Sequence, residues 1–407
     1  MTADFFESVF SFSELPYPQT QARLLELAHF ESGLRGRERC WLAVPGVPVK
    51  ELDAGWFYTP SVNELRQELS LVLQELEERC PECLPQLRSR FSRYMPLSLQ
   101  HVVGDSVSLH QQYPDAVFQA ASQFNLLEFP SPHFVPEMGV AHCVHDKTQG
   151  PACAVSCAVG LAYRCYLMGS RFVCGNSTGN ESGEDSRGQT KERQANMMRD
   201  VTRCITNGEP YGLPSVAADT YYTIRNGYFS STDKQMTALM QRIDALAKQR
   251  GMSTSDFMNE LSGLVRIGVV EDTMVTLPLH TPGACAGAGA PLHTVTQTYN
   301  SALSLSPNQS EVSWAAFATM VLAGSYEATL LSGALHVLRS VERHKSMSAM
   351  LSDIPPIFLT KVGGGVFHNH SSWIRRAIDV SLQSLEQYQV PLNLKLVHFR
   401  GIEEAYV

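Results

Sequence analysis

Charge is sparse in this chain: 18% of its 407 residues are Asp, Glu, Lys or Arg, and the formal balance is −8. A basic face that neutralises many backbone phosphates is therefore excluded, and nucleic acid is not an expected partner. The sequence has no internal repeat and no basic N-terminal region followed by a long apolar core. It reads as lacking an apolar run of the roughly 18 residues that a membrane span needs. These absences lead to the expectation of a cytoplasmic protein with no membrane partner. A second Cys-x-x-Cys is also missing, so Cys80-Pro-Glu-Cys83 offers only the first half of a zinc or redox spacing. Neither a metal site nor a cofactor is expected. The remaining cysteines of the ten read as buried free thiols rather than a disulfide framework. For the same reason the sequons at Asn176 and Asn180 carry no weight.

What is present is an ordinary globular composition, 44% hydrophobic, arranged in two stretches. Residues 1–99 read as a helical N-terminal extension: Thr20–His29 has apolar residues at helical spacing, and Ser61-Val-Asn-Glu64 is a capping box opening a long amphipathic helix. From residue 100 to 407 strands alternate with helices. Strands are expected at 116–121, 264–270, 293–300, 356–362 and 393–399. Helices are expected at 150–163, 231–250, 253–262, 311–343 and 371–388, and a hairpin at Asn226-Gly227. Residues 175–189 and Thr281–Ala290 read as flexible loops. The alternation predicts an α/β fold with a mixed sheet covered by helices on both faces.

The chemistry concentrates where apolar strands end. Ile357-Phe-Leu-Thr-Lys-Val ends in Gly363, Gly364 and Gly365, followed by Val366, Phe367, His368 and Asn369 and then a helix at Trp373. Glycines let backbone N–H groups approach an anion, and the helix N-terminus adds its partial positive charge. The strand end at Gln119–Ser122 with Asn125, and Asn300-Ser301, offer further polar groups where open α/β sheets bind ligands. Thr148, Gln149 and Gly150 open a small-residue helix, as either an exposed polar loop or a plain capped turn. Glu271 and Asp272 follow a buried strand, and Glu327 interrupts an apolar helix; each is a candidate carboxylate. Cys143 between His142 and His145 makes a poor thiol-hydrolase dyad, because residues adjacent on a strand face opposite ways.

Two segments give the chain a resemblance to the macrodomain superfamily, in its larger poly(ADP-ribose) glycohydrolase-like branch. Gly104-Asp105 with Tyr113-Pro-Asp-Ala-Val-Phe-Gln-Ala-Ala-Ser122 resembles the family's Gly-Asp and first buried strand. Phe358–Asn369 resembles its diphosphate-binding strand and loop. The resemblance covers roughly residues 100–400 and implies a three-layer α/β/α macrodomain-like sheet. It implies that Asp105 receives the adenine amine and that Gln119, Ser122 or Asn125 faces the distal ribose. Gly363 through Val366 would wrap the diphosphate, with Phe367 beside the ribose or adenine. Ser122 departs from the family's second asparagine, His368 from a common glycine, and Thr148-Gln-Gly-Pro-Ala from the glycohydrolase signature. The functional expectation is ADP-ribose binding with hydrolysis of an ADP-ribosyl linkage on protein. Asn125 and Gln149 would lie near the anomeric carbon, and Asp272, Glu271 or Glu327 would serve as the carboxylate. The alternatives are a non-catalytic reader, touching its partner through residues 1–99, or a hydrolase of another nucleotide or phosphosugar.

Overall fold

The computed structural model describes residues 5–47, 49–175, 186–207, 214–280, 292–343 and 352–403. The expected loop at Thr281–Ala290, residues 176–185 of the other expected loop, and both sequons lie outside them. The chain is α/β and divides into two compact units, each drawn from three separate stretches.

The first unit comprises residues 1–59, 104–196 and 268–300. Its strands run in the order Ala28–Ser32, Glu38–Leu42, Leu52–Tyr58, Gly268–Met274, Thr294–Asn300 and Val117–Ala121. Every pairing is antiparallel except the last, which is parallel. The helical extension expected at 1–99 is thus corrected: residues 28–58 supply three strands. Glu38–Leu42 alternates buried and half-buried positions, the period of a strand with one covered face. In Val117–Ala121 the first four residues are all buried, as a parallel strand covered on both faces requires.

The helix expected over 150–163 is broken. Gln149–Ser156 and Ala158–Ala162 are separated by Cys157, whose φ of −123° and ψ of 65° are not helical. Thr276 takes up the interrupted backbone, donating from its N–H to Ser156 O (2.9 Å) and accepting from Ala158 N–H at its hydroxyl (3.0 Å). A fully buried π-turn, Tyr163–Leu167, follows.

The second unit comprises residues 60–103, 197–267 and 301–407. Three parallel strands lie in the order Pro356–Leu359, Asn393–His398, Leu99–Val103. Around them are the helices Val62–Arg79, Asp233–Gln249, Thr254–Gly263, Glu311–Arg343 and Ser371–Glu386. The capping box is formed, Glu64 N–H donating to the Ser61 hydroxyl and Ser61 N–H to the Glu64 carboxylate. The hairpin turns at Asn226 (φ 49°) and Gly227 (φ 77°), both left-handed as a two-residue primed turn demands. Helix Glu311–Arg343 corrects the expectation of no span-length apolar segment. An 18-residue window reaches a mean hydropathy of 1.2, yet 94% of that window is buried within the fold. A helix apolar on all sides and packed on all sides is a core helix.

Cys40, Cys143, Cys153, Cys157 and Cys165 are buried free thiols, as expected. Cys80 and Cys83 are instead joined by a disulfide.

Candidate functional site

The glycine loop follows the strand Pro356–Leu359 in the second unit and is built as a rigid turn. Gly363 adopts φ 75°, and a Cβ there would lie 2.5 Å from Ala302 Cβ and 2.6 Å from Asn369 Nδ2. Only glycine fits this position. Asn369 N–H donates to Gly363 O (2.9 Å), and the Asn369 side-chain amide donates to Leu303 O (2.8 Å) and Phe367 O (3.2 Å). Asn369 is therefore a buried brace of the loop rather than a group presented to a ligand. Tyr326 braces the other side: its hydroxyl donates to Thr360 O (2.7 Å) and accepts from Val362 N–H (3.1 Å).

Between these braces the loop tip is open. Gly364, Gly365 and Val366 are exposed. Among the described residues, the N–H groups of Gly365 and Val366 donate no hydrogen bond within the protein. The His370 ring, at the N-terminus of the 16-residue helix Ser371–Glu386, accepts from Ser372 N–H (3.3 Å). Phe367, by contrast, is buried against the edge of Tyr228, with ring centroids 5.4 Å apart. Ser301, also buried, accepts at its carbonyl from the Ser325 hydroxyl (3.2 Å).

In the first unit, Gln119, Ser122, Asn125, Gln149 and Gly150 do converge at the end of the Val117–Ala121 strand. The Gln149 side chain continues that strand's pairing, accepting from Ala121 N–H (2.8 Å) and donating to Gln119 O (2.7 Å). Its helix comes so close that a Cβ on Gly150 would stand 1.7 Å from Ala121 O. Gly150→Ala is accordingly expected to lower stability by roughly 1–3 kcal/mol through forced backbone movement, read as a reduced urea midpoint. The fully buried Asn125 is occupied at both ends of its amide, donating to Gln194 Oε1 (2.9 Å) and accepting from Leu127 N–H (3.1 Å). Ser122 donates to Glu128 Oε1 (2.6 Å). Thr148 is exposed and hydrogen-bonded to Asp146 (2.7 Å).

Asp105 caps the helix Ser106–Gln112, accepting from Ser108 N–H at 2.9 Å. Burial pushes its carboxyl up, but hydrogen bonds from Ser108 and its neighbours outweigh this and hold it below the ordinary carboxylate range.

The candidate carboxylates Glu327 and Glu271 sit in structural pairings. Glu327 turns away from the loop that Tyr326 faces. It is held in a bidentate pair by Arg66 (2.7 and 2.8 Å), with a third bond from the Ser384 hydroxyl (2.7 Å). Glu271 accepts from the Tyr58 hydroxyl (2.6 Å) and pairs with Arg37 (3.5 Å). Its strand lies two places from Val117–Ala121 in the sheet. Asp272 is half-buried in the bulge of the same strand and takes a φ of 58°, a conformation that strains a non-glycine residue.

A fully buried ion pair in the first unit was not anticipated. Arg164 and Glu128 are fully buried and paired at 2.9 Å, and the guanidinium lies 3.6 Å from the centroid of the Tyr299 ring. Arg164 Nε also donates to Leu126 O (2.9 Å). Gln189 ties this centre to Asn125, donating to both Asn125 O and Arg164 O at 2.9 Å. The available signal was a lone charge inside each of two apolar runs, Leu126-Leu-Glu-Phe129 and Ala162-Tyr-Arg-Cys-Tyr166. A pocket of about 680 Å³ in the second unit, lined by Asn63, Arg66, Cys204, Arg250, Asp256 and Glu260, contains none of the expected binding residues. Comparison with protein-family models, curated proteins and solved structures returns no match.

Proposed function

We propose that this chain binds ADP-ribose on a three-layer α/β/α macrodomain-like fold in the cytoplasm, the diphosphate seated on the loop Gly363–Val366. One observation carries the reading: a loop tip with exposed, undonated amides at Gly365 and Val366, rigidly held by Asn369 and Tyr326. Preset amides bind an anion without reorganising and without a basic protein around them. The resemblance of Phe358–Asn369 to the family's diphosphate-binding strand and loop supports the same reading.

The geometry favours a reader of ADP-ribosylated protein over a hydrolase. Glu327 and Glu271 are committed to Arg66 and to Tyr58 with Arg37, and the Asn125 and Gln149 amides to internal partners. A specific observation supports the hydrolase as the second reading: backbone strain at Asp272, since such strain clusters at functional positions. If it holds, purified protein releases ADP-ribose from a modified substrate, and Asp272→Asn stops release while leaving binding intact.

Calorimetry with ADP-ribose tests the first reading. Wild type should bind saturably. Gly365→Glu should lose at least about tenfold in affinity, because a carboxylate is set against the diphosphate. Gly365 is the cleanest position for this, since a Cβ there meets nothing within 4 Å and the fold is unperturbed. No heat with wild type, or equal binding by the variant, overturns the proposal.

A further inference from the structure

The Cys80–Cys83 disulfide joins the end of helix Val62–Arg79 to the start of helix Cys83–Arg90. A closure over two intervening residues restrains the unfolded chain far less than a long loop does, so stability is a weak reason for it. Each helix has its own anchorage. The first buries Leu65, Leu69, Val72 and Leu76; the second buries Leu84 and Leu87, and its Arg88 donates to Gln389 O (3.0 Å). The fold therefore does not depend on this bond.

The pair stands apart from the buried thiols, while Cys204 is a half-buried free thiol. Cys40, Cys143, Cys153, Cys157 and Cys165 are buried, and burial pushes each of them up, Cys153 to about 12. Such thiols are inert at neutral pH. Cys80 is half-buried, and the two residues that follow it, Pro81 and Glu82, are exposed. Cys83 is buried at the first position of its helix, and its N–H donates to Cys80 O (2.9 Å), closing the turn that carries both sulfurs. Attack from solvent is therefore directed at Cys80 rather than at Cys83. In the cytoplasm, the compartment proposed above, a disulfide is usually transient and catalytic or redox-sensing.

We infer that Cys80–Cys83 is a reversible thiol–disulfide exchange site whose co-reactant is a dithiol reductant. A thiolate of the reductant attacks Cys80 Sγ, forming a mixed disulfide and breaking the Cys80–Cys83 bond. Cys83 departs as thiolate and takes up a proton. The reductant's second thiol then displaces Cys80, yielding the reductant's own disulfide and two protein thiols. Two electrons and two protons enter the protein, and the turn between the two helices is released.

The test uses the native full chain. Dithiothreitol followed by alkylation and peptide mapping should label both Cys80 and Cys83 without loss of circular dichroism, and removing the reductant in air should restore the bond. With oxidised glutathione, Cys83→Ser should accumulate a mixed disulfide at Cys80 at least about tenfold faster than Cys80→Ser does at Cys83, as accessibility dictates. Labelling that appears only after denaturation overturns the inference, as does an equal rate in the two variants. The wild-type labelling decides the matter if either variant fails to fold.

Discussion

Arg164→Met should cost about 3–5 kcal/mol of stability, the usual effect of removing one partner from a buried ion pair. Three losses combine. Glu128 keeps its burial without its cation, Leu126 O loses the Nε donor, and Tyr299 loses the charge over its ring. Burial pushes the Glu128 carboxyl up, while Arg164 and Ser122 pull it down. With Arg164 gone, the carboxyl is left to desolvation and rises further. The measurement is urea denaturation of wild type, Arg164→Met, Glu128→Leu and the double variant. The double variant should lose less than the sum of the single losses, because the pair then disappears together. Additive losses would show that the two side chains do not act as a unit.

Stability should also fall by about 3 kcal/mol as pH drops from 6.5 to about 4, from His110 alone. His110 is fully buried, stacked on Phe118 with ring centroids 3.7 Å apart. Its Nδ1 lies 2.6 Å from Ser106 O and its Nε2 lies 3.0 Å from the Gln297 amide nitrogen. The neutral Nδ1–H tautomer satisfies both contacts, donating to the carbonyl and accepting from the amide. A second proton would break the Gln297 bond and bury a charge beside His293. Burial accordingly lowers the imidazole to about 4, with the Ser106 bond opposing and His293 adding. The unfolded chain protonates near 6.5 and the folded chain near 4, so between those values the unfolded state holds more protons. The contribution is complete above 6.5 and is lost as pH falls. His142, set between Phe129 and Phe134 and also lowered to about 4 by burial, acts in the same direction. Denaturation midpoints across this range should show the slope, and His110→Gln should remove the share that His110 supplies. An unchanged slope in His110→Gln would exclude the assignment.

Legibility in the sequence followed the range of the interactions. Ser61 and Glu64 are three residues apart and their box formed as read; Asn226-Gly227 turned as read for the same reason. The strand Val117–Ala121 was visible because burial on both faces leaves an apolar run interrupted only by Gln119. The glycine loop was visible because a left-handed Gly363 and a close approach to Ala302 admit no other residue. Among the strands within residues 28–58, Leu52–Tyr58 was missed because its pairing is set by distant chain: it lies against Gly268–Met274. Cys157 looked like a helix interior because what breaks the helix there is Thr276, more than a hundred residues away.

The same distinction governs the site residues. By itself the sequence determined the capping box, the hairpin turn, the Val117–Ala121 strand and the strongly periodic helices, where the glycines force tight turns, and that a polar group sits at each strand end. Those depend on φ, on local hydrogen bonds and on periodicity, all carried by neighbouring residues. Only the tertiary structure decided what each polar group does. It gave Glu327 to Arg66, Glu271 to Tyr58, Asn125 to Gln194 and Glu128 to Arg164. The physical reason is desolvation: a buried polar atom must find a partner, and which partner is in reach depends on how distant segments pack.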